Sequence, residues 1–373
     1  MTQDFPAHWP RPLTTLCRVL APSPGAGTPD LTDEEWHQFA ELAVERHRVA
    51  PALSGKLGAC RIPAEVERLL AHEVEASSWQ ALRQIGLSHK VLEPLAAHGI
   101  QPVILKGWPL GQQVFGAPGM RHSRDLDLLV HPDEVSRAAG VLNDLGFRPT
   151  PVYRLRGRLT GSRALLDECY DLEFQHAQDD SRIELHWRSA HYRGWPDFCG
   201  RAEMIETIDE TPIGQIRVLS PTANLIYLSI HGGMHIWARL KWLLDIAWLA
   251  ERRGAAGLED DLALARSISA HRALALALRL SSRVFGTPMP PSIANPPGAV
   301  ARLEKQALGV IADPRAAPGS LRYKLMSNAA SLRLAENFGQ LAGVARYGVW
   351  RRLRLGAAGL SQSVLGCPRE RLA

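Results

Sequence analysis

Cysteine is scarce in this sequence and follows no pattern. The five residues, Cys17, Cys60, Cys169, Cys199 and Cys367, are odd in number and form no CxxC pair. That argues against a structural zinc site and against a disulfide framework, and it suits reduced thiols in a cytoplasmic protein. No uninterrupted apolar run reaches about 18 residues, so a membrane span is not expected. The opening stretch MTQDFPAHWPRPL has an early acid and several prolines but no apolar h-region, so it does not read as a secretory signal. Internal repeats and long low-complexity tracts are missing. So are zinc-finger spacing, a helix-turn-helix signature and a basic stripe interleaved with aromatics, which argues against nucleic-acid binding as the main role.

What is present is ordinary for a globular chain. There are 373 residues, 46% hydrophobic and 22% charged, enough for a sizeable core and for two domains or so. The net charge of +5 is compatible with a phosphate-bearing substrate, but an arginine-rich composition gives it equally well. Residues 1–100 read as a helical region. Thr32 before Asp33-Glu34-Glu35 is an N-cap with acids in the first turn, and further helical segments follow from Pro63 to a stop near His98-Gly99. From 101 to 220 short β-rich runs appear at 102–105, 126–130, 169–176, 182–187 and 213–219, with one helix over Pro132–Leu145. Beyond Pro221 the pattern is helical again, over 221–234, 236–253, 259–285, 299–311 and roughly 321–355, with Gly254–Gly257 and the proline-rich 287–297 as separators. The expected fold class is α+β, with a mixed sheet in 101–220 flanked by helical regions 1–100 and 221–373.

The stretch ILKGWPLGQQVFGAPGMRHSRDLDLLV, Ile104–Val130, organises the chain. Alternate residues of a strand share a face, so Asp125 and Asp127 project together while Leu126 and Leu128 turn to the core. Paired carboxylates repel unless a cation lies between them, and hard oxygen ligands favour Mg²⁺ or Mn²⁺. A third acid is offered by Glu184 in RIELHW, between core-facing Ile183 and Leu185. Asp171 and Glu173 in YDLEF are its rivals. Three carboxylates suit in-line displacement at phosphorus, with one metal on the acceptor hydroxyl and another on the leaving pyrophosphate.

Four ordered blocks carry a family resemblance. They are Leu105-Lys106-Gly107; Arg121-x-Ser123-x-Asp125-Leu126-Asp127-Leu128-Leu129-Val130; Glu184-Leu185-His186-Trp187; and His231-x3-His235-x-Trp237-x4-Trp242-Leu243-x-Asp245. Together they resemble the uncharacterised nucleotidyltransferase family of the DNA polymerase β superfamily, over roughly residues 35–260. The resemblance implies transfer of a nucleoside monophosphate from a nucleoside triphosphate, with ATP the expected donor, to a hydroxyl of a small molecule, peptide or protein. It implies two Mg²⁺ ions, held by Asp125 and Asp127, with Glu184 on the catalytic ion. Gly107 would let backbone N–H groups approach the triphosphate. The broader superfamily has Gly-Ser or Gly-Gly about ten residues before its first Asp, whereas here Gly107-Trp108 stands 18 residues ahead of Asp125.

Other residues carry both a functional and a structural reading. Lys106 offers a compact charge for phosphate or is a plain strand-end residue. Arg121, Ser123 and Arg124 could reach triphosphate oxygens or pack the strand entry. His231 and His235 share a helix face, but Gly232 stands where the glutamate of an HExxH protease would be. They and Lys241 are expected near nucleotide or acceptor. Two other readings share the fold: a silent nucleotide-binding scaffold, and a toxin-type transferase acting on tRNA or protein, hinted at by the arginines of 148–163. The basic 346–354 segment reads as a solvated amphipathic face.

Overall fold

A computed structural model describes residues 3–346, apart from 24–27, 59, 151–165, 167–168, 191, 317 and 319. Of the arginine-rich stretch only Arg148 is therefore described, and Arg351, Arg352 and Arg354 also lie outside the described residues.

Helices α1 (Arg11–Leu20) and α2 (Asp33–Glu41) open the chain. Thr32 and Glu35 form a reciprocal capping box at the start of α2. Helix α3 (Ala64–Ala97) is one continuous helix of 34 residues where the pattern suggested two. No breaker interrupts it before Pro94, which sits one turn from the end and removes a single hydrogen bond there. Gly99, at φ +70, stops it, with the Ile100 N–H donating to Leu95 O at 3.0 Å.

Every strand among the described residues lies between Val103 and Leu219. They are β1 (Val103–Ile104), β2 (Leu126–Leu129), β3 (Phe147–Pro149), β4 (Asp171–His176), β5 (Arg182–His186), β6 (Ile205–Ile208) and β7 (Ile216–Leu219). Helices α4 (Trp108–Phe115) and α5 (Val135–Asp144) are set among them. The sheet order is β3-β4-β5-β2-β1-β7-β6. Parallel pairs β2/β5 and β1/β7 alternate with antiparallel ones, so the sheet is mixed and the fold is α+β. Strands β3 and β6, short and on the two edges, were not expected.

Each face of the sheet has its own core. Ile104, Leu126, Leu128, Leu172, Phe174, Ile183 and Leu185 pack with Val91 and Leu95 of α3 and with Val135 and Leu142 of α5. Val103, Leu105, Leu129 and Leu219 join a larger cluster that includes Leu13, Phe39, Leu225 and Leu244. Strand alternation sends Asp127, Glu184 and His186 toward this second face.

The C-terminal helices are α6 (Pro221–Met234), α7 (Leu240–Ser267), α8 (His271–Phe285), α9 (Gly298–Ala312) and α10 (Leu321–Leu334). Helix α7 starts at Leu240 rather than 236 because Ile236 and Trp237 adopt left-handed φ values of 49° and 55°. The expected separator 254–257 only kinks α7, at Gly254. The true break comes at Ser269, also left-handed, and divides the expected helix 259–285. No helix among the described residues is long and apolar enough to cross a membrane.

Candidate active site

Strands β2 and β5 run parallel with Asp127 opposite Glu184, and Glu184 lies opposite Glu173 on the far side. The three carboxylates therefore form a row across neighbouring strands. His186, two residues beyond Glu184 on the same face, donates from Nε2 to Asp127 Oδ1 at 3.2 Å and to Glu184 Oε2 at 3.1 Å. From the end of β1, Lys106 places Nζ 3.0 Å from the same Asp127 Oδ1.

Electrostatics follow from this crowding. Burial opposes ionisation of Asp127, but the Lys106 charge and the His186 hydrogen bond outweigh it and hold its pKa below the ordinary range. At Asp125 the Lys106 charge is outweighed. Burial first, then Glu184 and Asp127, push it up to about 7. Burial disfavours the His186 imidazolium too, yet its bonds to Asp127 and Glu184 carry it up to about 9. Glu173 is raised by burial and by Glu184. A group of acids this costly to ionise together is what a cation relieves.

The donor set fits a divalent ion. Ligand atoms of Asp127, Glu184 and His186 lie within 4.8 Å of one another. Asp125, one residue before β2, is not part of that closest set.

Gly107 shapes the turn from β1 into α4. It sits at φ +76, and a Cβ there would meet Gln84 Oε1 at 3.1 Å and Ser123 Oγ at 3.7 Å. From α3, Gln84 Nε2 donates to Ser123 Oγ at 3.1 Å and to the Asp125 carbonyl at 3.0 Å. One buried amide thus holds the glycine turn and the approach to β2 together. Ser123 is engaged by that amide. Arg121 is buried and gives three hydrogen bonds of 3.0–3.1 Å to Asp245 of α7, and Arg124 is exposed.

The histidines of α6 form a ring cluster rather than joining the carboxylates. His231 and His235 have centroids 4.6 Å apart, Trp242 lies 4.9 Å from His235, and Tyr227 lies 6.2 Å from His231. The His235 Nδ1 also meets the Tyr323 hydroxyl. Tyr227 links this cluster to the site, since its hydroxyl lies against Lys106. Lys241, in the first turn of α7, is pulled well below the usual lysine range by burial and then by Arg121, Arg48 and Arg239.

Residues 32–286 match the family described as uncharacterised nucleotidyltransferase. The chain belongs to that family. Among solved structures it is similar to the antibiotic-resistance factor ANT(2'')-Ia, at 15% identity and a TM-score of 0.37, over 50% of this chain and 92% of that one. No curated protein matches it.

Three residues of this candidate site were not singled out from the sequence: His186, Tyr227 and Gln84. His186 was legible in principle, because i and i+2 on a strand share a face and Glu184 already named that face. Tyr227 and Gln84 reach the site from distant helices and left no local signal.

Proposed function

We propose that this family member is a Mg²⁺-dependent nucleotidyltransferase, using ATP by preference, that moves a nucleoside monophosphate to a hydroxyl of a small molecule, peptide or protein. The observation that carries the reading is the parallel pairing of β2 and β5, which sets Glu184 beside Asp127, with Asp125 near enough to feel both charges. Asp125, Asp127 and Glu184 would hold the ions, with His186 keeping Asp127 and Glu184 in place and Mn²⁺ an acceptable substitute. Bound there, the ions would neutralise phosphate charge and lower the pKa of an acceptor hydroxyl.

The chain's own groups then have separate tasks. Glu184, the more exposed of the facing pair at 29%, is placed to orient the acceptor hydroxyl and take its proton. Gly107, whose φ of +76 its missing side chain permits, would turn backbone N–H groups at the start of α4 toward phosphate oxygens. Lys106 and Arg124 supply positive charge for the triphosphate, Lys241 offers it a buried N–H donor, and His231 and His235 border the nucleotide or acceptor. Arg121 and Ser123 act by holding the approach to β2, through Asp245 and Gln84.

The test is transfer of labelled nucleoside monophosphate from a panel of nucleoside triphosphates, with Mg²⁺ and candidate acceptors. Asp125→Asn and Asp127→Asn should each lower the rate by about a thousandfold, the scale on which removing a central electrostatic group acts. Undiminished transfer in either variant would sink the assignment.

A further inference from the structure

We propose that Lys106 is an internal counter-cation, whose ammonium occupies the place of a divalent ion on Asp127 and leaves that carboxylate when the ion binds. This rests on the metal reading above and goes beyond it. Asp127 Oδ1 is the most contested atom of the site, receiving Lys106 Nζ at 3.0 Å and His186 Nε2 at 3.2 Å. The side chains of Lys106 and Asp127 are only 15% and 6% exposed, so water does little to screen Asp127, the buried end of the carboxylate row Asp127–Glu184–Glu173. Before an ion arrives, Lys106 and His186 are the groups that hold those acids together.

An ammonium and a divalent ion cannot share one carboxylate oxygen at contact distance, because their like charges repel in a poorly screened site. Of the two donors to Asp127, Lys106 is the one able to yield. Its charge rides on a flexible four-carbon stem that can swing away from Asp127, with the Tyr227 hydroxyl as its other partner, whereas the short His186 side chain holds its ring between Asp127 and Glu184. Lys106 is also the residue immediately before Gly107, so an ammonium displaced from Asp127 stays beside the α4 N-terminus, where phosphate charge would gather. The lysine is thus a positioning residue that assembles the acids first and is then passed from carboxylate to phosphate.

Mn²⁺ binding to the full chain, followed by electron paramagnetic resonance without nucleotide, tests this. Lys106→Met should bind Mn²⁺ about tenfold more tightly than wild type, the ordinary size of coupling between two exclusive cations. Lys106→Arg, which keeps the charge, should show no such gain. Without metal, Lys106→Met should melt at lower temperature than wild type, and Mn²⁺ should restore it. Lys106→Gln, which keeps a hydrogen-bond donor without the charge, should bind Mn²⁺ more tightly as well and guards against misfolding of the Met variant. If Asp127→Asn abolishes Mn²⁺ binding but both neutral variants bind no more tightly than wild type, the counter-cation proposal is overturned and the metal reading stands. If wild type binds no Mn²⁺ at all, both fall.

Discussion

His47 shows how far a single buried side chain can report on the fold. Its Nδ1 accepts the Leu240 N–H at 3.2 Å, so its proton sits on Nε2, and the residue is fully buried. Burial first, then Arg46 and Arg239, hold its pKa well below 6.5. Burial and Lys241 bring His122 down to about 2. Both rings are therefore neutral in the fold and take up protons on unfolding below pH 6.5. Their contribution to stability is present above that pH and lost as pH falls, at roughly 1.4 kcal/mol per pH unit for each ring. Asp125, raised to about 7, takes up a proton in the fold over the same range and opposes that slope, so urea unfolding between pH 7 and 5 reads the loss as a difference between variants. In His47→Gln, which keeps an acceptor for Leu240, the slope should shrink by about one proton; an unchanged slope would mean that His47 is not neutral in the folded protein.

The junction of α6 and α7 is an element that depends on particular glycines. The chain reverses through two left-handed residues, Ile236 and Trp237, and the Trp237 N–H closes the turn on Gly232 O at 2.8 Å. The Trp237 ring lies directly over Gly232, where a Cβ would stand 2.3 Å from it. A fully buried indole cannot step aside without moving its neighbours. Gly232→Ala should therefore cost about 3 kcal/mol or more, at the upper end of overpacking effects. Gly233 has a nearer escape, since its added methyl would meet the flexible end of Leu334 at 2.8 Å. Gly233→Ala should cost clearly less. Chemical denaturation of the two variants gives the comparison, and equal losses would refute the account. The same turn sets Trp242 against His231 and His235, so the damaged variant should also lose nucleotide affinity.

At the scale of the whole molecule, an ion pair joins the approach to β2 to the C-terminal helices. Arg121 and Asp245 are 124 residues apart, with side chains 5% and 1% exposed. Their pairing fixes the approach to Asp125 against α7. Removing one partner strands a buried charge, so Arg121→Met or Asp245→Leu alone should cost about 3–5 kcal/mol. The double variant should recover most of that loss, because a buried pair replaced by apolar groups is often close to neutral. A double-mutant cycle by denaturation checks it; additive losses would show that the two side chains do not act as a pair. The large core cluster likewise mixes residues such as Leu13, Leu105 and Leu244 from all three expected regions.

Local pattern by itself determined a good deal. Strand alternation decided that Leu126, Leu128, Ile183 and Leu185 would enter one core while Asp127 and Glu184 turned the other way, because the pleat leaves no alternative. The Thr32 capping box and the stop at Gly99 were likewise written in adjacent residues. The order and spacing of four blocks were enough to name the family. Only the tertiary structure decided that β2 lies parallel to β5, because strand order depends on contacts that no local period encodes. That one pairing makes neighbours of Asp127 and Glu184, 57 residues apart. Tertiary packing also turned Arg121 to Asp245, drew Gln84 from α3 under Ser123 and set Lys106 on Asp127. Each of these is a choice of partner for a charge or an amide, and a long side chain finds its partner only once the backbone around it is in place.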